Sequence, residues 1–130
     1  MLPRPVGSVS RIKLVIEVLS KGSAACEIVR HFAPLTAGAI LKGLPVQDRV
    51  HSFADSFVYI ETGLVIGAEK QRTQFRRGEL GFLPSNGSIC IFVKDAAVPP
   101  MNAIGVVTAN LEIIESSQPG DVMVVKKPSA

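Results

Sequence analysis

Between Ala24 and Pro45 the apolar period of the chain changes, and no other stretch constrains the fold as tightly. Ala24 to Arg30 reads as an apolar strand, Ala33-Pro34 breaks it, and Ala37, Ile40, Leu41 and Leu44 then recur at i, i+3, i+4 and i+7. A period of two lines one side of a strand, and a period near 3.6 lines one stripe of a helix. The stretch therefore predicts a strand, a turn and a short helix over Leu35 to Lys42. Gly43 and Pro45 end that helix, because glycine tolerates left-handed backbone and proline has no N–H to continue the ladder.

The rest of the chain supplies strands. Arg11 to Leu19 alternates, with Ile12, Leu14, Ile16 and Val18 against Arg11, Lys13 and Glu17, and Ser20-Lys21-Gly22-Ser23 turns it back into a hairpin with the Ala24 strand. Further strands are expected over Asp48 to Phe53, Phe57 to Thr62, Gly63 to Ala68, Leu80 to Leu83, Ser88 to Val93, Ala103 to Thr108 and Val122 to Lys126. Asn110 to Glu115 reads as a helical turn with Asn110 as N-cap. Ser88 to Val93 is apolar at successive positions, which predicts burial on both faces. Glu69 to Arg77 is polar and charged, and predicts a mobile loop.

Many short strands, one helix and frequent Gly/Pro turns predict a mostly β protein: a closed or nearly closed antiparallel β-barrel of about eight strands with one short plug helix, which removes exposed sheet edges. Ile12, Leu14, Ile16, Ile28, Ile40, Leu44, Ile60, Ile91 and Val124 are the expected core. The 130 residues suffice for one domain, placed at residues 11–127 behind a flexible leader at 1–10 and before a tail at 128–130.

Composition removes several functions. With 47% hydrophobic and 19% charged residues, no run approaches the ~18 apolar residues of a membrane-spanning helix. The first residues lack the apolar block of a signal peptide, so the expectation is a cytoplasmic protein. The net charge of +3 is mild, and the cluster Lys70, Arg72, Arg76 and Arg77, with Lys126 and Lys127, comes with one Tyr and no Trp. A nucleic-acid partner, which needs a dense basic face and stacking aromatics, is not expected. Cys26 and Cys90 lie in apolar runs and read as free, buried thiols. Cys26, His31, His51 and Cys90 lack the close paired spacing of zinc sites, so no metal is expected. Cys90 with His51 could form a nucleophile pair only if the fold joined them; a packed thiol is the expectation. Gly63, Gly67, Gly78 and Gly81 do not lead into a helix with an appended Lys-Ser/Thr, so no nucleotide or other cofactor is indicated.

The Ala33-Pro34-Leu35-Thr36 turn between strand and helix resembles the Ala-Pro-x-Thr turn of the cyclophilins. Gly78-Glu79-Leu80-Gly81-Phe82-Leu83-Pro84 and Cys90-Ile91-Phe92 resemble, more closely, the small prokaryotic cyclophilin-like proteins, in which a Gly-Asp-x-Gly-aromatic turn precedes a Cys-containing apolar strand; Glu79 and Leu83 depart from that pattern. The resemblance runs from about Arg11 to Lys127. It implies a cyclophilin-like barrel and raises the question of proline isomerisation. Cyclophilins place an Arg after the plug helix, an aromatic five residues on and a Gln eight residues on, then a Gln-Phe-Phe, a Trp and a His. Arg49 matches the first. Ala54 and Phe57 stand at the next two, Ile89 and Cys90 fall near the Gln and first Phe, and Met101-Asn102-Ala103 has no His.

Arg49 is thus the one catalytic candidate, and absent or very weak isomerase activity is expected. The leading expectation is a non-catalytic module that binds a peptide or small molecule through Arg49, His51, Tyr59, Glu61, Phe82, Asn86 and Phe92. Strand alternation puts Glu61 beside Phe57 and Tyr59 as a polar handle. A divergent peptidyl-prolyl isomerase and an assembly module docking through a barrel edge are the alternatives, and a homo-oligomer is compatible with all three.

Overall fold

The computed structural model describes residues 11–129; the expected leader at 1–10 and the last residue of the tail lie outside them. The hairpin β1 (Arg11–Val18) and β2 (Gly22–Val29) forms in full register from Arg11 opposite Val29 to Val18 opposite Gly22. A 3₁₀ turn at Arg30–Phe32 leads into helix α1 (Pro34–Gly43). The chain continues through β3 (Val46–Arg49), β4 (His51–Phe53), β5 (Phe57–Glu61), β6 (Gln71–Phe75), β7 (Glu79–Leu83), β8 (Ser88–Phe92), β9 (Ala96–Ala109), helix α2 (Leu111–Glu115) and β10 (Val122–Lys126).

All ten strands join one antiparallel sheet in the order β3-β10-β1-β2-β9-β7-β8-β5-β4, with β6 paired to β9 beside this path. The path is not closed by a ladder. Its two ends, β3 and β4, are neighbours in sequence separated by Val50, whose N–H donates to the Asp121 carbonyl at 2.7 Å. One bent segment thus pairs with β10 through its first half and with β5 through its second. Where β2 meets β9 the backbones come so close that a Cβ on Gly105 would run into the Glu27 carbonyl.

The sheet has apolar residues on both faces. The main core takes Leu14, Ile16, Ile28, Ile60, Leu80, Ile89, Ile91 and Ile104 from the strands, Ala37 and Ile40 from α1 and Ile114 from α2. On the other face, a second cluster joins Phe57, Phe75, Cys90, Phe92, Met101 and Ala103. Strand β8 supplies both, Ile89 and Ile91 to one and Cys90 and Phe92 to the other, and every residue in it is buried, as its unbroken apolar run predicts.

Four expectations need correction. Glu69 to Arg77 is not a free loop: its centre is β6, where Phe75 is buried and stacks on Phe92 at 4.6 Å with the rings 2° from parallel. Arg72 lies over the same ring, 4.7 Å from its centroid, so one aromatic holds down an otherwise polar strand. Residues 63–68 form no strand. β9 begins at Ala96 rather than Ala103, because its first half is an outlying arm that pairs with β6 and tolerates Pro99 and Pro100. In β10 it is Met123 and Val125 that enter the core while Val124 is half-buried, as are Ile12 and Leu44; the other six expected core residues are buried.

Helix α1 has no cap of its own, since Ala33 precedes it and offers no side-chain acceptor. Glu69 does this from the 62–70 segment: its carboxylate accepts from the Leu35 N–H at 2.9 Å, the Thr36 N–H at 2.8 Å and the Thr36 hydroxyl at 2.7 Å. Buried Asn102 completes the link, accepting from the Glu69 N–H and donating to the Thr36 hydroxyl and the Gly67 carbonyl. Partial burial works against the Glu69 charge, but the bonds from Leu35 and Thr36 prevail and hold its carboxyl below the ordinary value. Asn110 stands at the N-cap of α2 in left-handed backbone (φ 62°), yet its amide donates to the Ser23 carbonyl instead of capping.

Candidate functional site

The second apolar face is only partly covered, and its exposed margin is aromatic. In the β4–β5 ladder His51 stands opposite Tyr59 and Phe53 opposite Phe57; in the β5–β8 ladder Phe57 faces Phe92 and Tyr59 faces Cys90. Paired residues share a face, so the rings form a row. His51 stacks on Tyr59 at 5.0 Å, Phe53 on Phe57 at 5.3 Å, and Phe57 meets Tyr59 at 5.9 Å and Phe92 at 5.1 Å.

Beside this row lies a cavity of about 240 Å³, walled by Phe53, Phe57, Tyr59, Leu83, Asn86, Pro99 and Met101. Its lining is mainly apolar, with the Asn86 amide and the Tyr59 hydroxyl as polar points. Phe53 is 52% exposed, apolar area that a bound group would remove from water. A wider, open groove of about 810 Å³ runs along Arg72, Phe75, Arg76, Glu79 and Asp95. Its carboxylates are already engaged: Arg72 meets Glu79 at 2.6 Å, Glu79 also accepts from the Arg76 backbone N–H, and Asp95 accepts from the Arg77 backbone N–H. The smaller cavity is the better candidate, because pockets bind through apolar walls with a few unspent polar groups.

The expected site residues divide. Tyr59 and Asn86 line the cavity. His51 and Glu61 lie on the same margin, next to Tyr59. Phe92 is wholly buried in the cluster behind the wall, against Phe57. Phe82 is wholly buried in the main core on the opposite face, so it is a packing residue and not part of the lining. Arg49 is turned to the far end of its strand, where its guanidinium donates to the Gly120 carbonyl at 3.1 Å. Phe53, Phe57, Leu83, Pro99 and Met101 are cavity walls that sequence reasoning did not select. Phe57 was visible through its alternation with Tyr59; Pro99 and Met101 arrive only through the arm of β9.

The two thiols are free and buried, and burial pushes each up to about 12. Cys90, held under the aromatic row, is therefore a core residue with no nucleophilic role at neutral pH. One set of side chains has the make-up of a metal site: the ligand atoms of Asp48, His51 and Glu61 lie within 4.8 Å of one another. The His51 Nε2 is 3.3 Å from the Asp48 Oδ2, which also accepts the Glu61 N–H at 2.9 Å. Asp48 was not among the expected residues.

No family model matches the chain, and neither does any curated protein sequence. Solved structures do. The solution structure of the hypothetical protein AF2241 from Archaeoglobus fulgidus superposes with a TM-score of 0.74 at 21% identity, over 92% of this chain and 96% of that one. McbB, solved in complex with tryptophan, superposes with a TM-score of 0.72 at 15% identity over 90% of this chain, which spans 45% of McbB. At these identities the likeness is one of fold. No helix among the described residues is long and apolar enough to cross a membrane.

Proposed function

We propose that the chain is a cyclophilin-like barrel that binds, without catalysis, a peptide through one apolar side chain or a small aromatic molecule, in the cavity between Phe53 and Met101. The single observation that carries this reading is the cavity itself, an apolar recess with the half-exposed Phe53 at its margin and a second buried cluster beneath it. At about 240 Å³ it is smaller than the roughly 300–1,000 Å³ of pockets that enclose drug-sized ligands, which favours one side chain or ring. The barrel part of the reading draws on the strand path, whose ends are consecutive segments of chain, and on the Asp48 carboxylate of β3, which accepts from the Glu61 amide of β5.

Isomerisation is the weaker reading. An isomerase must offset the lost amide resonance with a positioned donor while the proline ring is held. The Arg49 guanidinium is bonded to Gly120, in the turn before β10, and no wall of the cavity between Phe53 and Met101 carries a cation. Docking through a barrel edge has no observation of its own.

The test is a titration with a proline-containing peptide and, separately, with free tryptophan, followed by NMR shifts of Tyr59, Leu83, Asn86 and Met101. Saturable shifts at these residues that weaken about ten-fold in Phe53→Ala are expected. No shift up to about 1 mM ligand, or shifts confined to the Arg72–Asp95 groove, would overturn the proposal. A protease-coupled isomerisation assay should show no acceleration; acceleration that disappears in Arg49→Ala would replace binding by catalysis.

A further inference from the structure

We infer that Asp48, His51 and Glu61 form a binding site for a first-row divalent cation, zinc in preference to manganese or magnesium. The three ligands come from three consecutive strands, β3, β4 and β5, and each backbone is held by a ladder: Asp48 opposite Met123, His51 opposite Tyr59 and Glu61 opposite Ser88. One imidazole nitrogen and two carboxylates make a mixed donor set. Zinc accepts such sets, whereas magnesium prefers oxygen ligands and retains water. The charges match as well: two carboxylates within 4.8 Å of each other repel, and a dication neutralises them.

The geometry is near closure. Ligand atoms about 2.0–2.1 Å from a tetrahedral metal stand roughly 3.4 Å apart. The His51–Asp48 pair already does so, at 3.3 Å. The Glu61 carboxylate has to swing in, and it is on an exposed residue at the end of its strand, where no described group holds it. Stacking on Tyr59 fixes the plane of the His51 ring, and the Glu61 N–H fixes one oxygen of Asp48. The His51 side chain is 43% exposed and that of Asp48 29%, which leaves the outer side of the ion to water or to a ligand group. Because His51 stacks on a cavity wall, an ion here would stand beside the cavity without depending on it.

The chain has two histidines, and this makes the experiment clean. Chelator-treated, untagged full-length protein is titrated with zinc chloride, and separately with manganese and magnesium chloride, by calorimetry and by ¹⁵N shifts of the imidazole rings. His31, exposed in the 3₁₀ turn, is the internal control. The expected result is one zinc per chain with Kd below about 10 μM, large shifts at His51 and none at His31, with manganese weaker and magnesium weaker still. Glu61→Gln removes one ligand and His51→Ala another, and each should weaken zinc at least about ten-fold with the thermal midpoint of the metal-free protein retained. Zinc binding weaker than about 1 mM, equal shifts at both histidines, or full affinity in Glu61→Gln would overturn the inference. If His51→Ala does not fold, the Glu61→Gln result decides.

Discussion

The two faces of the β5–β8 ladder are built from the same strands and have opposite relations to water. On the inner face Ile60, Ile89 and Ile91 are closed over by the rest of the sheet and by α1 and α2. On the outer face Phe57, Cys90 and Phe92 are covered by β6, the arm of β9 and the side chains of Phe32 and Leu83, and Phe53, Tyr59 and His51 at its margin stay partly exposed. Aliphatic residues fill the closed face and aromatics the incomplete one. The difference follows from what each side chain can do: branched aliphatics pack densely where nothing enters, and broad flat rings bury area against neighbours while leaving an edge for a partner. The closed face carries stability, and the incomplete one leaves apolar area in contact with water.

That contrast can be broken or sharpened by substitution. The largest effect belongs to the inner face. Ile91→Ala should cost about 2 to 5 kcal/mol in urea unfolding, and a loss below about half a kcal/mol would remove Ile91 from any central role. Next comes the buried polar link that ties the 62–70 segment to α1. Asn102→Ala takes the partner from the Glu69 N–H and the Gly67 carbonyl, and should cost about 2 kcal/mol and raise amide exchange at Glu69. A smaller effect is expected for Glu69→Ala, about 1 kcal/mol at pH 7, the size of a lost helix cap. Its pH dependence has a definite sign. The Glu69 carboxyl lies lower in the folded protein than its ordinary 4.5, so its contribution is present above that value and is lost as the pH falls through the folded value. The gap between wild type and Glu69→Ala should therefore close below about pH 4.5. Smallest on stability is Phe53→Ala on the outer margin, within about half a kcal/mol, while it weakens ligand binding about ten-fold. A stability loss as large as that of Ile91→Ala would mean that Phe53 is a core residue and the two faces are alike.

Legibility followed the range of the interactions. The β1–β2 hairpin, the helix after Ala33-Pro34, the doubly buried β8 and the last strand were all readable, because each rests on periodicity and turn residues within a few positions. β6 was not. Its one apolar anchor, Phe75, is invisible as a pattern, and it becomes a strand by pairing with the arm of β9 while Phe75 stacks on Phe92, both distant in sequence. Tyr59, Asn86, His51 and Glu61 were selected from alternation and strand ends, and the structure places the first two in the cavity wall and the other two beside it. Phe82 was misplaced because alternation says which residues share a face and not which face is open.

Asp48 and His51 show the limit most clearly. Residues three apart on a regular strand point to opposite sides. Here the segment bends at Val50, where β3 leaves β10 and β4 joins β5, and the bend brings the Asp48 carboxylate to the His51 ring. The sequence by itself determined the β1–β2 hairpin, helix α1 and the doubly buried β8, since these depend on local dihedral preference and on the period of side chains. Only the tertiary structure decided which face stays open, where Arg49 points and which donors meet, because those depend on how distant strands are brought side by side, and a single register shift or bend changes them without changing any local pattern.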